Sequence, residues 1–170
     1  MIQPRCTIVV LFSALVVIAM AVRAGMAQAP TNNACGLLTD AELQSVLGMK
    51  GMLKAGTIGE IQTCGGETQS AKVLLRFFKR TTDPSGKKEQ AGIEATKKMG
   101  VQVDAKTSGG ILCMATVPPA NLAAMGFGTS CTVTSKAPMF AVIEVTSKTQ
   151  KDMVPMEKLR VVAEKMASRF

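Results

Sequence analysis

The first chemical fact of this chain is a missing side chain: its 170 residues include no histidine. Imidazole is the usual general base near neutral pH, the activator of serine and cysteine nucleophiles, and the commonest metal ligand. Ser-His and Cys-His catalytic pairs are therefore ruled out. The twelve acidic residues are scattered along the chain, with no two in a recognisable acid–base setting, and read as surface groups. Ser85-Gly86-Lys87-Lys88 has the Ser-x-x-Lys spacing of penicillin-recognising serine enzymes, and Lys106-Thr107-Ser108-Gly109 loosely matches their Lys-Thr-Gly element. The Ser-Asp-Asn element is missing, so Ser85 is read as helix-start chemistry. No catalytic residue is assigned and no enzymatic activity is expected.

Two patterns suit binding instead. Lys79, Arg80, Lys87, Lys88, Lys97 and Lys98 flank and cover an expected helix. They can form a cationic ridge for an acidic envelope protein or an anionic surface. Nucleic acid is not expected, because a chain with no Tyr, no Trp and only six Phe has little to stack on bases. Met49-x-x-Met52 and Met153-x-x-Met156 place thioethers in pairs, and thioethers select Cu(I). Methionine also fills irregular cores. No cofactor is assigned, and a carrier of a small ligand or copper is kept as the alternative function.

The N-terminus has the three parts of a secretory signal. Arg5 gives a modest positive start, residues 8–22 are apolar and uncharged, and small residues gather at Ala24, Gly25, Ala27 and Ala29. The apolar run is short of the roughly 20 residues of a spanning helix. Residues 1–29 are thus expected to be a cleaved signal peptide, with cleavage after Ala27 or Ala29. Residues 30–170 then form one domain with no stable membrane span. Losing Arg5 and Arg23 lowers the net charge from +8 to +6. The expected location is periplasmic or secreted.

Four cysteines follow the leader: Cys35, Cys64, Cys113 and Cys131. An even number in an exported domain points to two disulfides, with three connectivities open. No spacing is Cys-x-x-Cys, and without histidine a zinc site is disfavoured.

The elements that must position these groups follow from pattern. Thr39 and Glu42 form a capping box for a helix over 40–47, closed by Gly48. Glycine-rich turns and short strands fill 49–68. Residues 71–80 alternate as a strand, with Val73, Leu75 and Phe77 on one face and Leu74, Arg76 and Phe78 on the other. Asp83-Pro84 opens a helix to Met99, with Ala91, Ala95 and Met99 as its apolar stripe. Strands are expected at 101–106 and 110–117, and a hairpin at 131–135 and 139–147. Met156, Leu159, Val162, Ala163, Met166 and Phe170 line a closing helix over about 154–169, with Arg160 and Glu164 able to pair on its other side. The fold class is α+β: an antiparallel sheet with a short N-terminal helix, a middle helix and a C-terminal amphipathic helix.

A shift of 67 residues places Cys64 on Cys131 and strand 71–80 on 138–147, a hint of two related halves. Such halves favour Cys35–Cys64 and Cys113–Cys131, with Cys64–Cys131 the main rival.

The run from Cys35 through Leu37-Leu38-Thr39, Glu42 and Leu47-Gly48 resembles the opening of a group of small exported bacterial proteins. That opening reads Cys-x-Leu-Leu-Thr-x-x-Glu, then a short helix closing on Leu-Gly. Many members are lipoproteins of unknown function. The resemblance implies an α/β sandwich over residues 33–170, with Cys64 as the partner of the opening cysteine, and it brings no catalytic residue. This chain departs from the group in having no lipidation site at Cys35 and in carrying Cys113 and Cys131 besides. The function expected is a non-enzymatic exported envelope protein with a binding or scaffolding role.

Overall fold

The computed structural model describes residues 33–49, 53–79, 87–136 and 138–170. The expected signal peptide, Met52, Arg80 and the Asp83-Pro84 helix start lie outside the described residues.

The elements run α1 (Asp40–Leu47), β1 (Lys54–Ile58), β2 (Ile61–Glu67), β3 (Ala71–Lys79), α2 (Lys87–Lys98), β4 (Gln102–Ser108), β5 (Ile111–Val117), β6 (Phe127–Val133), β7 (Met139–Ser147) and α3 (Met156–Ala167). All seven strands form one antiparallel sheet in the order β1-β2-β3-β7-β6-β5-β4. The architecture is α+β, as the sequence pattern implies.

Period-two alternation on β3 fixes the layout. Val73, Leu75 and Phe77 point to one face and are buried, while Leu74, Arg76 and Phe78 take the other face and are only half-buried. The long β3–β7 pairing sets Leu75 directly opposite Ile143, both fully buried. On the same face α3 buries Met156, Leu159, Val162, Ala163 and Met166. Each large side chain withdrawn from water in this way contributes about 1.5–3 kcal/mol. Thr129 and Ser147, both buried, donate their hydroxyl protons to the carbonyls of Val154 and Asp152. Those bonds tie the loop before α3 to the sheet without leaving a buried polar group unsatisfied.

The capping box of α1 is formed: Thr39 Oγ1 accepts from the Glu42 backbone N–H, and Glu42 accepts from the Thr39 N–H. Gly48 ends the helix at φ 67°, in the left-handed region that glycine enters without penalty.

Both disulfides, Cys35–Cys64 and Cys113–Cys131, are present. One row of directly opposed residues crosses the sheet as Ala55, Cys64, Leu75, Ile143, Cys131, Cys113 and Lys106. Cys64 and Cys131 are thus separated by two strands, about 14 Å at normal strand spacing. That is too far for a bond, so the rival pairing is geometrically closed. Cys64 and Cys131 stand one strand to either side of the Leu75–Ile143 pair, but farther out Ala55 answers Cys113 and Lys106 has no counterpart, so the two-halves pattern holds only for the inner strands. The helices break it, because α2 and α3 lie on opposite faces.

Two expectations for side chains are corrected. Ala91, Ala95 and Met99 do not face the sheet: all three are exposed, and α2 turns Gly92, Ile93 and Thr96 inward. Ile93 is the one large apolar residue of the helix, and it outweighs a stripe made mostly of alanine. Arg160 also does not pair with Glu164. It donates to the carbonyls of Ser108 and Lys106, at 3.3 and 3.2 Å, which pins α3 to the end of β4.

Candidate functional site: a cavity beneath α2

The face of the sheet opposite α3 is where a site can form, because its helix is a weak packer. No residue of α2 is buried. It lies over the β4–β7 side of the sheet with a cavity of about 700 Å³ beneath it, within the range of small-molecule sites. Gly92 helps to hold this space open, since a Cβ built there meets nothing within 4 Å.

The apolar wall comes from Ile93 on the helix and Val103, Leu112, Met114 and Phe140 on the strands. Phe140 is braced by Phe78, whose ring stacks on it at 6.0 Å between centroids. Lys88 and Glu89 reach the cavity from the first turn of α2.

Four threonines supply the remaining polarity: Thr96 on α2, Thr116 on β5, and Thr132 and Thr134 on or just after β6. Thr96 donates its proton to Gly92 O at 2.9 Å and Thr134 to Gly110 O at 2.9 Å. Thr116 donates to Gly128 O at 3.4 Å, and Gly128 permits that approach, since a Cβ there would lie 2.7 Å from Thr116 Oγ1. Thr96 and Thr134, so engaged, keep lone pairs but have no proton left to offer, whereas the longer Thr116 contact holds its proton only weakly.

A second depression of about 720 Å³ lies on the same face beside β1–β3, lined by Lys54, Gly65, Gly66, Lys72 and Glu144 among others. Glu67, Lys72 and Glu144 among its charges are compensated by neighbours. Lys72 Nζ is 3.5 Å from Glu67, and Glu144 accepts from Arg76.

The expected ridge residues fall at separate places. Lys79 ends β3, while Lys87 and Lys88 open α2 and Lys97 and Lys98 close it. Lys87 and Lys98 are about 20° apart around the helix axis, on the side away from the cavity. Glu94 lies near the same line and pairs with Lys97 at 3.3 Å, so the outer face is not uniformly cationic. Among the described members of this set only Lys88 lines the cavity. Of the methionine pairs, Met49 and Met156 are buried in the core and Met153 is half-buried. Among the described residues no group of three or more His, Cys, Asp or Glu could hold a metal ion, and no helix is long and apolar enough to cross a membrane.

A strongly shifted carboxyl, Glu42, lies outside the cavity. Hydrogen bonding from Arg169 lowers the pKa of Glu42 to about 2, with help from the Thr39 N–H and hydroxyl.

No protein-family model, curated protein or solved structure matches this chain.

The cavity threonines were not singled out from the sequence, although a signal existed. Thr132 and Thr134 alternate with Cys131 and Val133, so an inward half-cystine face implies a threonine face behind it. The lone Ile93 beside Gly92 was the corresponding mark on the helix.

Proposed function

We propose that this chain is an exported, non-enzymatic binding protein that carries a small apolar molecule between α2 and its sheet. The observation that carries the reading is the cavity itself: five apolar side chains and four threonine hydroxyls converge on about 700 Å³ of space under a helix with no buried residue. A scaffold would instead offer a contiguous apolar patch. Among the described residues the large exposed apolar side chains are dispersed: Ile58 on β1, Met99 after α2, Met125 in the turn after β5 and Val161 on α3. Export is supported by the leader pattern of residues 1–29 and by two fully paired disulfides, which persist in oxidising compartments. A non-enzymatic role is supported by the threonine chemistry, since the hydroxyls of Thr96, Thr116 and Thr134 bond to backbone carbonyls and not to a base.

The test is a titration with N-phenyl-1-naphthylamine, an uncharged apolar fluorophore of suitable size. Saturable enhancement at one dye per chain is expected. A weak linear rise with no saturation would overturn the reading.

A further inference from the structure

The hydroxyl bonding in the cavity says more about the ligand than its volume does. Resting on the binding-protein reading above, we propose that the ligand is an uncharged apolar molecule carrying a hydrogen-bond donor, such as an alcohol or amide, and not an anionic amphiphile.

The protons of Thr96, Thr116 and Thr134 are directed to backbone carbonyls of Gly92, Gly128 and Gly110. What these three side chains have left to offer a ligand is therefore oxygen lone pairs, while the fourth lining threonine, Thr132, has a hydroxyl that can accept as well as donate. An oxygen-lined wall attracts a donor and repels a carboxylate or phosphate, which brings only acceptors of its own. An anion would also need a counter-charge. Among the described residues the lining offers one cation, Lys88, and one carboxylate, Glu89. Moving a charged group from water into such a space without a dedicated partner is costly, whereas a hydroxyl finds acceptors already in place. The net positive charge of the whole chain does not reverse this, because it acts on approach and not on the wall chemistry.

Three competitors of equal chain length separate these terms when used to displace N-phenyl-1-naphthylamine from the full mature protein: decanol, decyl methyl ether and decanoate. Decanol is expected to displace the dye best. The ether, equally apolar but without a donor, should be weaker by roughly 3- to 10-fold. Decanoate should be weaker than decanol by more than about tenfold. Decanoate matching or exceeding decanol overturns the proposal, and so does an ether as effective as the alcohol. Both results leave the cavity reading intact, because displacement still occurs. Failure of the dye to bind at all removes both readings together.

Discussion

Arg169 and Glu42, 127 residues apart in sequence, form a two-pronged ion pair with N–O distances of 2.6 and 2.7 Å. The same guanidinium donates to Leu37 O at 2.8 Å, and the next residue, Phe170, sets its ring edge-on to Phe77 at 5.2 Å. The last two residues therefore clamp α3 to α1 and to the sheet. Glu42 serves twice, as the reciprocal member of the α1 capping box and as the anchor of the C-terminus.

Acid is expected to release this clamp. The folded pKa of Glu42, about 2, lies below its ordinary value of 4.5 because Arg169 and Thr39 hold the charged form. Between those values the unfolded chain binds more protons than the folded one. The pair's contribution is thus fully present above about pH 4.5 and is lost as pH falls toward 2. Each pH unit in that window is worth up to about 1.4 kcal/mol, and partial contact with water reduces the total to about 2 kcal/mol. Denaturant titrations at stepped pH should show this loss in the native protein. Glu42→Gln should lower stability at neutral pH and flatten the slope.

The two disulfides should contribute separately. Cys35–Cys64 closes a separation of 29 residues and Cys113–Cys131 one of 18, for which chain entropy gives about 3–4 kcal/mol each. Replacing Cys35 and Cys64 with Ala should expose α1 amides to hydrogen exchange while the β5–β6 amides stay protected. Replacing Cys113 and Cys131 should loosen β5 and β6 first. Uniform loss of protection in both variants would contradict this.

The two faces of the sheet should differ in their tolerance of truncation. Leu75→Ala empties a fully buried position opposite Ile143 and should cost about 3 kcal/mol. Met114→Ala enlarges a space that is already open and should cost less than about 1 kcal/mol. Urea unfolding midpoints of the two variants provide the comparison.

Much of the fold was legible because its signals are local. The Thr39–Glu42 box, the alternation of Val73, Leu75 and Phe77, and the stripe from Met156 to Met166 each lie within one element, and each is realised. Cysteine pairing was half-legible: strand order decides between the rivals, and order is a long-range property. The Glu42–Arg169 pair spans nearly the whole described chain, so no window of sequence contains it. The orientation of α2 was misread for a different reason. Alanines give little burial energy, so Ala91 and Ala95 do not steer a helix, and the single Ile93 does. The cavity depended on that orientation, and with it went the site.

The most direct test of the cavity as a binding site is Gly92→Leu, read by both thermal stability and N-phenyl-1-naphthylamine affinity. Replacing a mid-helix glycine that has open space at its Cβ should stabilise α2 by about 0.5–1 kcal/mol. The new side chain also occupies the space where a ligand must sit. The expected result is an equal or higher melting temperature together with dye binding weakened by at least tenfold. A variant that melts as high as the parent and binds the dye just as tightly would contradict the account.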